Sequence, residues 1–396
     1  MAKVLLGWEL GANRGHVQPL VELGSALEAR GDTVLYAVQQ VDALVGVVPR
    51  SSIVLQAPLW PRLLKTVTQP PAPTTATMGD ILARIGLTQP GTLSSMVGGW
   101  DALISLVKPD LVIGDFAPAL ACAARGRVPM IGIGSSFCQP PASMSEFPNF
   151  FGDAVSGDQT EMLSVVNEEL AIAGCLEIGT LPHVFSADKF IVNGFAELDA
   201  YAPWRPDPLF SPPVEISNDF ELLSTAERNE VFVYYYQAAG EVSSLWEALE
   251  MSRLPVRVYV PRLDRDDALA LEKRGFVVER APVAWSDIAR RSRILLSHGG
   301  KGFVSNALAL GLPQIIAYYD VEKLLTARAV GELGLGLHVN SAQINPAILS
   351  AAIIELYHDD VCAKRSSDRA PQFVAQLDNS ALAGSIMARD ELLGQV

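Results

Sequence analysis

Cysteine is scarce: Cys122, Cys138, Cys175 and Cys362 are the only four in 396 residues, and they form no CxxC pair. Their scatter argues against a disulfide framework and, with no histidine at metal-ligand spacing, against a zinc site, so buried free thiols are expected. Positive charge is also short. Thirty Lys and Arg face 44 Asp and Glu, a net charge of −14, which opposes attraction to nucleic acid or to an anionic membrane surface. No stretch approaches the ~20 apolar residues of a membrane span. Met1–Leu10 lacks the basic start and apolar run of a signal peptide, so a cytoplasmic protein without an integral membrane segment is expected.

What is present is enough for two cores. A hydrophobic content of 49% with 19% charged residues belongs to a globular chain, and this length exceeds one ordinary core. Lys3–Trp8 reads as a buried strand, followed by the loop Gly11-Ala12-Asn13-Arg14-Gly15-His16 and a helix with Leu20, Leu23 and Leu27 on one face. Gly31 stops that helix before the strand Thr33–Val38. The alternation recurs at Leu111–Gly114, Ala117–Arg125 and Met130–Ile133, predicting a parallel sheet covered by helices. Five prolines between Tyr201 and Ile216 mark an interdomain linker. Beyond it, Val231–Tyr236, Val256–Val260, Phe276–Val278, Ile294–Ser297 and Gln314–Tyr318 predict strands of a second α/β domain. The predicted division is 1–202, a linker at 203–220, a second domain at 221–370, and a C-terminal helical segment at 371–396 packing back on the first domain.

The strand Ile294–Leu296 runs into Ser297-His298-Gly299-Gly300-Lys301-Gly302, and Val304, Ala307 and Leu308 continue at helical spacing. Glycines at a helix start leave backbone N–H groups pointing outward and open to close approach, which suits a phosphate. His298 and Lys301 can add donors or charge. The turn is not a Walker loop, since Leu295 and Gly302 stand where its first Gly and its Ser or Thr belong, and it lacks the G-x-G-x-x-G of a dinucleotide site. A packing turn with no ligand is the competing explanation.

Ser297 through Gly336, with its His-Gly-Gly-x-Gly turn, helix, Gly311-x-Pro313, strand and acidic-polar pair, resembles the donor segment of the inverting UDP-glycosyltransferase superfamily. Gly15-His16-Val17-Gln18-Pro19 and its leucine-rich helix resemble the acceptor-side opening of that superfamily, especially of bacterial natural-product and macrolide glycosyltransferases. The resemblance implies a GT-B fold, α/β with two Rossmann-like domains facing each other across a cleft. It implies that His298, Gly299, Gly300, Lys301 and Gly302 hold a diphosphate, and that Gln237, Val283, Asn306, Glu322 and Lys323 meet the nucleoside and sugar. It makes His16 the catalytic base and Asp115 the acid that orients it; on its own, Asp115 also reads as an N-cap for the helix at 117–125. An apolar acceptor pocket is expected from Met78, Phe137 and Phe147, although ordinary core packing explains Met78 as well.

Several positions depart from the family pattern. Asn306 replaces a Glu that grips both ribose hydroxyls, which keeps dTDP-sugars beside UDP-sugars as donors. Phe303 removes a phosphate-donating hydroxyl, and Tyr236-Gln237 stands where Gly-Ser is usual. Lys323 replaces a Gln, either to meet the donor or to pair with Glu322. The expected activity is inverting transfer of a sugar from a nucleoside diphosphate to a hydroxyl of a small, largely apolar acceptor, with the nucleotide-sugar as co-substrate and no separate cofactor. No metal is expected, because no Asp-x-Asp pair sits at a strand end. A lipid-linked acceptor, a GT-B epimerase and an inactive partner protein are the alternatives, and homodimer formation is left open.

Overall fold

The computed structural model describes residues 1–11, 14–62, 75–152, 154–205, 209–214, 228–235, 243–377 and 381–394. The chain forms two compact units. Unit 1 comprises Met1–Asn193, Tyr201–Ser211 and Asn379–Val396, and unit 2 comprises Gly194–Ala200 and Pro212–Asp378. Gln237, expected at the nucleoside, lies outside the described residues.

In unit 1 the chain runs β1 (Lys3–Trp8), α1 (Arg14–Ala29), β2 (Thr33–Val38), β3 (Ile53–Gln56), α2 (Met78–Ile85), α3 (Thr92–Val107), β4 (Leu111–Asp115), α4 (Pro118–Ala124), β5 (Met130–Gly134), α5 (Gln159–Ile172), β6 (Lys189–Val192) and β7 (Leu209–Phe210). The sheet order is β3-β2-β1-β4-β5-β6-β7, and every pairing is parallel. Central strands of such a sheet are covered on both faces, and β1, β4 and β5 are accordingly almost wholly buried. The segment expected as pure linker therefore contributes a short strand, Leu209–Phe210, to this sheet.

Unit 2 runs β8 (Glu230–Tyr234), α6 (Ser243–Ser252), β9 (Val256–Tyr259), α7 (Arg265–Lys273), β10 (Val277–Glu279), α8 (Trp285–Arg291), β11 (Ser292–Ser297), α9 (Lys301–Ala309), β12 (Gln314–Tyr318), α10 (Val321–Glu332), β13 (Gly336–Asn340), α11 (Pro346–His358) and α12 (Asp360–Val374). Its sheet is also parallel, in the order β10-β9-β8-β11-β12-β13. Alternation along β8 divides the packing: Val231 and Val233 join the core with α6 and α11, while Phe232 joins the opposite core with Ile288 of α8 and Ala307 of α9.

In each sheet the strand order reverses beside one strand pair, β1 with β4 in unit 1 and β8 with β11 in unit 2. Loops leaving the carboxyl ends at such a reversal diverge and open a crevice, where ligands of open α/β sheets bind.

The chain beyond Pro371 is two pieces and not one helical segment. Pro371 lies inside α12, whose Phe373 packs in unit 2 with Phe195 at 4.9 Å between centroids, and α13 (Ala381–Leu392) belongs to unit 1. Ala388 enters the unit 1 core, whereas Met387 is 70% exposed. The helix is held by a bidentate pair: Arg389 Nε and Nη2 donate to Asp32 Oδ2 at 2.7 Å and Oδ1 at 2.6 Å. Both side chains are buried, and Asp32 also accepts from the Ala2 N–H at 2.8 Å.

Burial, the largest single influence, would raise the Asp32 pKa, but the Arg389 hydrogen bonds, the Ala2 N–H and the neighbouring positive charges together outweigh it and hold the carboxyl below its ordinary range. The resulting stabilisation is present above pH ~4 and is lost as the pH falls through the depressed value. Arg389→Ala strands a buried carboxylate and is expected to cost about 3–5 kcal/mol in urea unfolding at pH 7, with a smaller deficit at pH 3. An equal deficit at both pH values would contradict the assignment.

Candidate functional site

In unit 1, Asp115 is the last residue of β4 and is fully buried. His16, in the first turn of α1, is 9% exposed. His16 Nδ1 lies 2.8 Å from Asp115 Oδ1. A carboxylate can only accept, so Nδ1 carries the proton and Nε2 is left as the basic nitrogen. Trp8 stacks on the imidazole with centroids 5.6 Å apart, and Phe116 lies at 6.5 Å. Gly11 sits against the other edge with φ +83°, and a Cβ there would fall 2.2 Å from His16 Nε2. Glycine is required twice over, by the left-handed backbone and by the ring's approach.

Asp115 does not cap the following helix. The N-cap of α4 is Ala117, and the Ala119 and Leu120 N–H groups are taken by Glu9.

The aromatic chain continues from Phe116 to Phe185 at 6.1 Å and from Phe185 to Phe147 at 6.2 Å. Phe137 lies 5.9 Å from Phe150. Of the residues expected at an acceptor, Met78 and Phe147 are interior, as is Phe137 at 8% exposure. Phe147 also meets Gly79 beside Met78. Of the three, Phe147 is linked to His16, through Phe185 and Phe116.

In unit 2, β11 ends at Ser297 and α9 begins at Lys301. Gly299, at φ +89°, lets the turn pass within van der Waals reach of α10: a Cβ there would lie 2.7 Å from Ile316 Cγ2 and 3.4 Å from Lys323 Cβ. Gly300 is the N-cap and offers no side chain to the first-turn N–H groups of α9, which carry the positive end of the helix dipole. His298 is 9% exposed and bonds to the Tyr234 carbonyl. Burial, and then the charge of Lys323, push its pKa down to about 4. The charge expected of it is therefore absent at neutral pH, leaving a neutral imidazole ringed by Tyr234, Tyr235 and Tyr319 at 5.5, 5.9 and 6.1 Å.

Lys323 is not a surface lysine. Its side chain is 15% exposed, with Nζ 2.7 Å from Glu322 Oε2 and 3.6 Å from Asp320 Oδ2. Burial opposes its charge, but the two carboxylates overcome that and raise its pKa. Asn306 is buried, and its Nδ2 donates to the Gly302 carbonyl at 2.8 Å and to that of Pro213 at 3.4 Å. Phe303 packs against Tyr234 at 5.0 Å and Trp285 at 4.9 Å, with Val283 partly buried in the same cluster. His298, Gly299, Gly300, Lys301 and Gly302 thus form one turn, and Lys323 packs beside it.

Trp8, Glu9, Gly11 and Phe116 escaped the list of site residues. Gly11 had a signal in the glycine loop, and Glu9 in being an acid at the end of an apolar strand. Phe116 had none, since its φ of +44° is invisible in the sequence. Among the described residues, no group of three His, Cys, Asp or Glu is placed to hold a metal ion, and no helix is long and apolar enough to cross a membrane.

Residues 271–387 match the family model of the erythromycin biosynthesis protein CIII-like C-terminal domain. The NDP-glycosyltransferase YjiC of Bacillus licheniformis is 30% identical over 82 residues, 21% of this chain and 21% of that protein. The UDP-glucosyltransferase avaP of Aspergillus versicolor is 26% identical over 72 residues, 18% of this chain and 16% of that protein. The matched segments thus span about a fifth or less of these relatives. The calicheamicin glycosyltransferase CalG4 superposes with a TM-score of 0.72 at 18% identity, covering 100% of this chain and 99% of that one. This chain shares that fold over its whole length, and the family match covers its residues 271–387. Its fold is GT-B, and the relatives and structural neighbours named here are glycosyltransferases.

A buried neutral histidine predicts acid sensitivity. Between about pH 6.5 and 4 the unfolded chain takes up a proton at position 298 that the folded chain refuses, so stability rises with pH across that window. The expected loss between pH 7 and pH 4 is roughly 3 kcal/mol from this residue. Urea unfolding of His298→Gln should show a shallower pH slope there than the parent, and an identical slope would refute the account.

Proposed function

We propose that this chain is a glycosyltransferase of the natural-product GT-B type, moving a sugar from a nucleoside diphosphate to a hydroxyl of a small, largely apolar acceptor with inversion at the anomeric carbon. The observation that carries this reading is the buried pair of His16 Nδ1 and Asp115 Oδ1, 2.8 Å apart at the strand-order reversal of unit 1.

In the proposed reaction Nε2 of His16 takes the acceptor hydroxyl proton as the oxygen attacks the anomeric carbon, and the bond from that carbon to the diphosphate oxygen breaks on the opposite face. Asp115 stabilises the imidazolium that forms, as the orienting acid of a triad does. The diphosphate leaves with its electron pair, and its charge rests on the N–H groups of Gly299–Gly302 and the α9 dipole. Because His298 is neutral and Lys323 is already paired with two carboxylates, the load falls on the backbone donors and on the ammonium of Lys301 at the start of α9.

Two features favour a deoxyribose donor such as a dTDP-sugar. Asn306 spends its Nδ2 on main-chain carbonyls, so position 306 supplies no carboxylate to receive both ribose hydroxyls. Phe303 fills the neighbouring space with an aromatic surface. The aromatic residues running from Trp8 to Phe147 support an apolar acceptor.

A thermal-shift panel of UDP, dTDP and GDP should give stabilisation by a nucleoside diphosphate, largest for dTDP, and no shift with any of them would refute the donor site. His16→Ala is expected to lower transfer to a hydroxylated acceptor by about 10²–10⁴-fold. Unchanged rates would exclude His16 as the base. Asn306→Glu should improve UDP binding relative to dTDP.

A further inference from the structure

The loop that cradles His16 is anchored by an acid for which the proposed reaction has no role. Glu9 follows β1 and is 1% exposed. Its Oε1 accepts from the Leu120 N–H at 2.5 Å, and its Oε2 accepts from the Ala119 N–H at 3.1 Å and from Trp60 Nε1 at 3.1 Å. Since Ala117 has no capping side chain, Glu9 reaches across 110 positions of sequence to satisfy the start of α4.

The residues on either side of Glu9 shape the imidazole's surroundings. Trp8 stacks on the ring, and its Nε1 donates to the Leu10 carbonyl at 2.6 Å. The Leu10 N–H donates to the Phe116 carbonyl at 3.2 Å, and Gly11 lies under Nε2. Across from this loop, Asp115 and the left-handed Phe116 form the turn between β4 and α4. A non-glycine residue at φ +44° persists only where neighbours over-determine it. Leu10 and Glu9 provide two such restraints.

We propose that Glu9 is the positioning residue of the His16–Asp115 pair: through Ala119, Leu120 and Trp60 it fixes the loop bearing Trp8 and Gly11 against the turn bearing Asp115 and Phe116. The proposal rests on His16 as the proposed base, with Glu9 acting only through these neighbours. An ionised carboxylate satisfies three N–H donors, whereas a protonated one must place its own hydrogen among them and loosens the joint. Burial pushes the Glu9 pKa up to about 7, against the pull of its backbone and tryptophan donors, so the joint changes state near neutrality.

Other titratable groups on the packed elements include His16 on α1, Asp115 on β4, and Cys122 on α4, whose thiol is pushed up to about 12 by burial, with the Glu9 charge adding to the rise. Arg125 bonds to the Leu176 carbonyl, Arg62 to Gln89, and Asp101 of α3 to Arg127.

The test is the pH titration of the His16 ring resonances in full-length, histidine-labelled protein, assigned with His16→Ala. In the parent these resonances should report a step near pH 7, where Glu9 changes state. Glu9→Gln should lack that step, and Trp60→Phe, which deletes one donor to the charged form, should move it to higher pH. In sugar transfer, Glu9→Gln should lower kcat by about ten- to a hundredfold with the donor KM unchanged. Superimposable His16 curves in folded Glu9→Gln and parent would overturn the proposal, and should Glu9→Gln not fold, an unmoved step in Trp60→Phe overturns it alone. Absence of transfer by a parent that still shows the step would remove the activity reading and leave the role of Glu9 standing.

Discussion

A histidine works as a base at a defined point only when one ring nitrogen is held and the other is left bare. The bond from His16 Nδ1 to Asp115 Oδ1 imposes that condition, and the architecture of unit 1 serves to close it across 99 positions of sequence. β1 lies between β2 and β4, so the end of β4 delivers Asp115 beside the loop that leads from β1 into α1. A parallel sheet with its reversal here separates the two outgoing segments enough to leave a crevice while keeping their first residues adjacent. Gly11 then allows the ring to descend onto the loop, and Trp8 fixes its plane.

Unit 2 repeats the layout with different chemistry. Its reversal also sends a strand, β11, through a glycine turn into a helix, but the turn presents N–H groups in place of a titrating side chain. The charged residues nearby largely cancel one another: Lys323 lies between Glu322 and Asp320, and His298 is kept neutral by burial. An anion arriving at α9 would thus be met by oriented dipoles, which need no rearrangement as charge develops on a leaving group, and by the charge of Lys301 in the first turn. One unit carries a buried histidine–carboxylate pair and the other a glycine turn that opens a helix.

Much of this was legible in the sequence. Buried strands of a parallel sheet are continuous apolar runs, so Lys3–Trp8, Thr33–Val38 and Gln314–Tyr318 were read with their observed limits. Glycines after such strands marked both candidate sites, and Gly11 and Gly299 take the left-handed backbone that few other residues permit. What escaped depends on contacts remote in sequence. Nothing local distinguishes Asp115 as an N-cap from Asp115 as a histidine partner, and the choice falls to Glu9, which occupies the α4 N–H groups. Nor does sequence show that Asn306 turns its Nδ2 onto Gly302, or that the segment after Pro371 divides between the units. For Lys323 the sequence left open the donor or Glu322 as its partner, and the structure pairs it with Glu322 and Asp320, whose carboxylates make its partial burial tolerable.

The central claim is that Asp115 holds His16 with Nδ1 protonated and Nε2 bare. Nitrogen-15 spectra of the His16 ring at pH values where it is neutral measure this directly. The account predicts a protonated Nδ1 and an unprotonated Nε2 in the parent, with the preference lost in Asp115→Asn. A parent spectrum with the proton on Nε2 would contradict it.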